Sequence, residues 1–515
     1  MATQWQTFPI EFRGGLISNL SPLQHGTNAV GSATILQNFE ANKEGGYAKI
    51  RGYEKYSTTT VPGSGSILAL KVISSGRIVA ARKNSSNQTQ YYYSTGSSWT
   101  SMATSVGTNG GKARHVLYNL DGDDKVIFVD GTNYPAIYNT SGNSTTFMTS
   151  SNSTDVSGAE HVTVFKNTAF YSKGNNIYFT APFTVDDFSV ANGAGSINVA
   201  NDVTGMAVFR DQLIIFTSDT IKRLTGNSSA DFTVSPITDR IGCINGDTIQ
   251  EVGGDIMYLA PDGIRLLSAT DRIGDFALDV ASNQIQKDAA LFLSQTSSFC
   301  SVLFKEKAQY RIFAYVQSEQ DTAAKGLIAT KFISQGATGI AWSTTKGIKA
   351  FVADSRYTGT AETIAFANED GYVYVMDTGS DFDGAAIEAI YESPFMPISD
   401  PQVRKTFYKM TLYAEPTGSM SLDLNLKYDF ASASNTKVVQ PATQQISSTG
   451  ASVFLFGASN AVFNTATFGG ELDKIYDTNV IGSGKTVALR LEDLSTNPTF
   501  TLDTALLEYS QEDRQ

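Results

Sequence analysis

Residues able to do chemistry are few in this chain and widely spaced. Its three histidines, His25, His115 and His161, fall at no metal-ligand spacing. They are expected to serve surface or structural roles. The cysteines Cys243 and Cys300 stand in apolar, strand-like surroundings and are expected as buried free thiols, since two such residues make no disulfide framework. No Gly-X-Ser-X-Gly elbow occurs, and no cysteine has a histidine close by in sequence. Gly484-Lys485-Thr486 ends like a phosphate loop, but Asn479 stands where the first glycine is required. The residues after it, Val487 to Leu491, read as a strand and not as a helix whose N-terminus holds phosphate. A hairpin turn is expected there.

Two clusters bring carboxylates together, Asp121-Gly122-Asp123-Asp124 and Asp381-Phe382-Asp383-Gly384, without the spacing of an EF-hand loop. Acidic turns between strands are expected, and Asp262 and Asp381 are read as turn residues. A carboxylate pair at the mouth of a β-propeller can hydrolyse glycosides. The Ser-X-Asp-X-Gly-X-Thr-Trp boxes of sialidases are absent, however, and only three tryptophans are available to stack on sugars. The run Tyr91-Tyr92-Tyr93 is the single candidate for a glycan platform, and strand packing accounts for it equally well. The reading assigns no catalytic, cofactor-binding or metal-binding residue and expects no enzymatic activity.

The elements that would position any site are set by a recurring phrase. An apolar strand, a short polar turn, a second apolar strand and a polar stretch end in an aromatic. The phrase runs over 77–99, 125–147, 168–188, 212–232, 255–276, 310–342 and 363–382. Its closing aromatics, Trp99, Phe147, Phe188, Phe232, Phe276, Trp342 and Phe382, are 48, 41, 44, 44, 66 and 40 residues apart. Antiparallel strands at that period predict propeller blades. The long interval holds Ser282 to Leu293, where Ile285, Ala289 and Phe292 at i, i+4 and i+7 predict a short helix capped by Ser282 or Asn283.

From about residue 384 the rhythm changes. Met420, Leu422, Leu424, Leu426, Tyr428 and Phe430 alternate with polar residues, the period of a strand with one face buried. Thr406 to Ala414, Val453 to Phe456, Val487 to Leu491 and Phe500 to Leu506 supply further strands. The predicted fold is all-β: an N-terminal arm and ring-closing strand (1–60), a β-propeller of six or seven blades (61–383), and a separate antiparallel β-sandwich or jelly roll (384–515).

Composition narrows the partners. The 515 residues carry a net charge of −12, with 17% charged and 11% aromatic residues. A nucleic-acid binder would need a basic footprint, which this balance argues against. No basic start followed by an apolar core opens the chain, and no run approaches the ~20 apolar residues of a membrane span. Asn-X-Ser/Thr triplets such as Asn84, Asn139 and Asn227 are read as turn composition.

Three stretches, in order along nearly the whole chain, resemble the tail nozzle or hub proteins of short-tailed bacteriophages, including packaged-DNA stabilisation proteins. They are Asn38-Phe-Glu…Gly45-Gly-Tyr…Ile50-Arg-Gly-Tyr; Phe209-Arg-Asp-Gln-Leu-Ile-Ile-Phe with Ile241-Gly-Cys and Gly253-Gly-Asp-Ile-Met-Tyr-Leu-Ala-Pro-Asp-Gly-Ile-Arg; and Arg404-Lys-Thr-Phe-Tyr-Lys-Met. The resemblance implies a structural virion protein, a homohexameric ring at the end of the tail. Such a ring docks on an adaptor ring, carries fibres or a needle, and retains packaged DNA until ejection without binding it specifically. It carries no cofactor and no active-site residues to transfer. The alternatives from other classes are a glycan-binding receptor-recognition tail protein and a propeller glycoside hydrolase.

Overall fold

A computed structural model describes residues 5–29, 31–42, 45–74, 76–102, 109–120, 122–268, 270, 280–334, 337–431, 440–448 and 474–512. The chain is all-β, with 53% strand and 6% helix distributed over many small sheets. Phe276, Asp121 and the strand expected at Val453 to Phe456 lie outside the described residues.

Seven small antiparallel sheets follow one another along the chain. The first runs Ser64–Ser74, Arg77–Lys83, Thr89–Ser94 and Trp99–Ser101 in consecutive order. The second to fourth, at 114–147, 161–198 and 203–238, repeat the four-stranded meander, while the fifth, at 250–266, has three strands. The sixth spans Phe299–Phe304 to Ala337–Lys346. The seventh runs Val352–Thr358, Ala361–Ala367 and Val373–Met376 and takes its fourth strand, Tyr53–Lys55, from near the N-terminus. Each copy of the recurring phrase coincides with the second and third strands of one sheet.

Those central strands are apolar without alternation because both faces are covered by neighbouring sheets. Asp255–Ala260 and Gln309–Ala314 are buried at every position. Each sheet meets the next through its own cluster: Val79 and Tyr91 meet Val126 and Phe128, and Ile127 and Val129 meet Ala169 and Tyr171. The succession returns to its start, since Val352, Ala365 and Val373 of the seventh sheet pack on Val72, Ile78 and Ala80 of the first.

The C-terminal strands form two layers. One orders Phe39–Ala41, Tyr47–Lys49, Phe500–Gln511, Lys405–Pro416 and Ile475–Gly484, with Gln6–Glu11 also pairing to Phe500–Gln511. The other orders Ile35–Gln37, Ala389–Glu392, Val487–Asp493, Met420–Tyr428 and Gln444–Ser448. Residues 6–49, expected as an arm, therefore supply strands to both layers, and the pairing with the seventh sheet falls on Tyr53–Lys55.

The two layers are not a separate unit. Gln37 bridges Thr344 in parallel, so the second layer continues from the sixth sheet as one nine-stranded sheet. Leu259, Tyr310 and Leu327 of the small sheets also share one core with Leu412, Leu424, Leu489 and Leu507. Inside this body Lys49 and Asp493, both with fully buried side chains, pair at 3.0 Å.

Three local expectations need correction. The alternating strand ends at Tyr428, because Asp429 and Phe430 turn with φ of 52° and 57°, leaving Phe430 39% exposed. Gly484 to Thr486 makes no hairpin, since it crosses from one layer to the other; Asp429 Oδ1 accepts from the Lys485 and Thr486 amides at 2.7 and 3.1 Å. The short helix is Gln286–Leu293, preceded by a 3-10 turn, and it buries Ile285, Ala289 and Phe292 as expected. Ser282 does not cap it, because its hydroxyl instead accepts from the Ile264 amide.

Candidate functional site

The first strand of each small sheet is the one the recurring phrase leaves out. These strands pack side by side, the first sheet's on the second's, the second's on the third's, the third's on the fourth's, the fifth's on the sixth's, the sixth's on the seventh's and the seventh's on the first's. Residues they present line a cavity of about 230 Å³. Arg114 and His115 come from the second sheet, His161 from the third, Cys300 and Ser301 from the sixth, and Asp354 from the seventh. Asp247 enters from the turn Gly246–Thr248 between the fourth and fifth sheets.

Two carboxylates organise this site. Asp247 is held by Lys112 Nζ at 2.9 Å and by Arg114 through Nε at 2.7 Å and Nη2 at 3.2 Å. Its backbone is fixed as well: its amide donates to the Asn245 side chain and its carbonyl accepts from the Ser301 hydroxyl. Asp354 accepts from Lys71 Nζ at 3.0 Å, from the Val72 amide at 2.8 Å, and stands 3.3 Å from His115 Nε2. Lys71, Asp354 and His115 thus join the first, seventh and second sheets, while Arg114 and Asp247 join the second sheet to the turn before the fifth.

Burial acts to raise both carboxyls, but the adjacent cations outweigh it and hold each well below the usual carboxylate range. The histidines move the other way. Burial, with Arg114 close by, pushes His161 down to about 3, and burial together with Lys71 lowers His115 against the opposing pull of Asp354. Burial pushes the Cys300 thiol up to about 11. Near neutral pH the site therefore holds two carboxylates, three cations and two neutral imidazoles. Neither carboxylate keeps a proton to give to a leaving group, which glycoside hydrolysis requires of one member of its pair.

The remaining candidates are dispersed. His25 lies outside this cavity, 2.7 Å from Ser32 Oγ, and the Ser32 hydroxyl donates to the Ala29 carbonyl. The ring nitrogen must then be a donor, the wrong polarity for a base on serine. Cys243 is buried and free in another part of the core. Asp262 pairs with the buried Arg265 at 2.7 Å, Asp381 accepts from the Gly384 amide at 2.7 Å, and Asp383 meets Lys55 at 2.6 Å. Asp124 meets Arg356 at 3.3 Å. Tyr91 and Tyr92 are 4% and 7% exposed, packed in their strand. Among the described residues no three metal-ligating side chains gather, and no helix is long and apolar enough to cross a membrane.

No protein-family model matches the chain, and no curated protein matches it. Among solved structures it is similar to PorZ, a surface component of the type-IX secretion system of Porphyromonas gingivalis, at 12% identity and a TM-score of 0.35, over 66% of this chain and 39% of that one. It is similar to the extracellular domain of a one-component system of B. thetaiotaomicron at 11% identity and a TM-score of 0.37, over 70% and 43%. An ancestral GH74 enzyme matches at 10% identity and a TM-score of 0.39, over 64% and 53%. The chain thus spans 39% to 53% of the length of these structures, and likeness at this level assigns no activity.

Proposed function

We propose that the seven sheets are the blades of a closed β-propeller, that the two C-terminal layers are a β-sandwich, and that the whole is a structural subunit of a short-tailed phage tail nozzle. Closure is supported by the return of the packing from the seventh sheet to the first and by the pairing of Tyr53–Lys55 with Val373–Met376. The observation that carries the structural role is the fusion of the sixth sheet into the sandwich, with one core under both. A subunit built this way transmits load as a single body, which suits a ring that must hold a pressurised genome.

In this reading six copies form the ring in the virion tail, dock on an adaptor ring and carry fibres or a needle. The DNA path is the lumen between copies and not the blade axis, which the Arg114–Asp247 and Lys71–Asp354 pairs cross. Residues 384–515 hold 15 acidic and nine basic side chains, so a lumen lined by the sandwich repels phosphates and lets duplex slide. That repulsion acts over a Debye length, about 8 Å at physiological salt.

Negative-stain imaging with mass by light scattering, on the protein alone and with tail extracts, tests the ring. Gel retardation at low salt tests the lumen. Rings of six copies and unretarded duplex are expected. Tight, salt-sensitive DNA binding would refute the repulsive wall, and virions that keep their genome without the protein would refute the role.

A further inference from the structure

We propose that the axial cavity is a binding site for a phosphate-class oxyanion, free phosphate or a phosphomonoester. Three observations carry this inference, which is independent of the ring. First, the charges at the site do not balance. Lys71 and Asp354 neutralise each other, but Lys112 and Arg114 share the single carboxylate of Asp247, which leaves one positive charge over within a protein of net charge −12. Two partly buried cations sharing one counterion leave a net positive charge, and that surplus favours an anion from solvent.

Second, His161 is 8% exposed and lines the cavity, with the Val203 backbone as its hydrogen-bond partner. Its other ring nitrogen has no partner among the described residues. Because the ring is neutral, that nitrogen is an acceptor and needs a donor. Hydrogen phosphate carries both features at pH 7, oxygens for Lys112 and Arg114 and an O–H for His161, and a phosphomonoester carries them as its monoanion, which is about half of it near pH 6. Sulfate and acetate ions near neutral pH carry the charge without the O–H. Third, the cavity's 230 Å³ far exceeds the ~30 Å³ of a water, so a tetrahedral ion fits beside its hydration.

Isothermal titration of the full chain with inorganic phosphate, at constant low ionic strength and pH 7, tests the site, with sulfate and acetate as controls. Saturable one-to-one binding is expected, at least ~10-fold tighter for phosphate than for sulfate or acetate, as one charge-assisted hydrogen bond implies. Lys112→Gln should weaken phosphate by ~10-fold or more, and His161→Phe should abolish the preference over sulfate. Glycerol phosphate and inorganic phosphate, titrated in parallel at pH 6, where about half of the ester is the monoanion, separate the two sources: tighter binding than inorganic phosphate identifies a monoester, weaker binding the free ion. Phosphate binding that does not saturate, that equals sulfate, or that survives both substitutions unchanged overturns the proposal. If Lys112→Gln fails to fold, the comparison of phosphate with sulfate on the unaltered protein decides.

Discussion

Acidification should weaken the fold through His161. The ring is buried and its folded pKa is lowered from 6.5 to about 3, so the native state takes up no proton in a range where the unfolded chain does. A group depressed in this way gives full stability above pH 6.5, and that stability drains as pH falls toward 3. With these two values the loss at pH 5 relative to pH 7.5 is about 2 kcal/mol, since each tenfold difference in proton affinity between the folded and unfolded chain is worth ~1.4 kcal/mol. His115 and His25 are lowered too and add to the loss, whereas burial raises the Asp321, Glu362 and Asp503 carboxyls, which oppose it. Asp247 and Asp354 are held low and stay ionised, contributing only below the ordinary carboxylate range. The window from pH 6.5 to 4.5 therefore holds the histidines and the raised carboxyls, and comparing the wild type with a His161 variant isolates the one ring. Urea unfolding across it, at constant ionic strength, should show His161→Gln losing about 2 kcal/mol less than the wild type. Parallel curves for the two proteins would show that His161 is not buried in its neutral form.

Other perturbations test the architecture. Lys49→Met leaves Asp493 buried beside only neutral donors and should cost about 3–5 kcal/mol, read as a lowered melting temperature, because an unpaired buried charge is expensive. Gly52→Ala places a Cβ 1.7 Å from the Asp381 carbonyl oxygen and should destabilise by more than ~2 kcal/mol, whereas Gly76→Ala, facing open space, should change stability by under ~1 kcal/mol. Limited proteolysis should release no stable pair of fragments by cleavage between 378 and 400, and a chain lacking residues 1–55 should not fold, as judged by circular dichroism and gel filtration.

Much of the frame was legible because burial on both faces writes itself into composition. The central strands of every small sheet are sandwiched between neighbours, so they must be apolar throughout, and seven apolar pairs at similar spacing are visible in a bare sequence. The role of the segment before residue 60 was partly legible, since Tyr53–Lys55 joins the last sheet. Nothing local marks Ile35–Gln37 or Tyr47–Lys49 as partners of strands more than 300 residues away. The fusion of the sixth sheet with the C-terminal layers was hidden for the same reason, as the bridge from Gln37 to Thr344 leaves no pattern in either segment.

The site is hard to see in the sequence because its residues sit on first strands and a turn, which the recurring phrase passes over. Arg114, His115 and His161 open two first strands and line the cavity, where polar side chains can pair with one another. A usable signal is nevertheless present. His115 and His161 lie 46 residues apart, close to the spacing of the repeat, and each stands at the start of a first strand. Two residues separated by one repeat occupy similar places on successive sheets, and these two line one cavity. Short sequence spacing is the right measure for a helix or a metal loop. In an array of repeated sheets the relevant distance is a multiple of the period, and by that measure the two histidines, far apart along the chain, are neighbours.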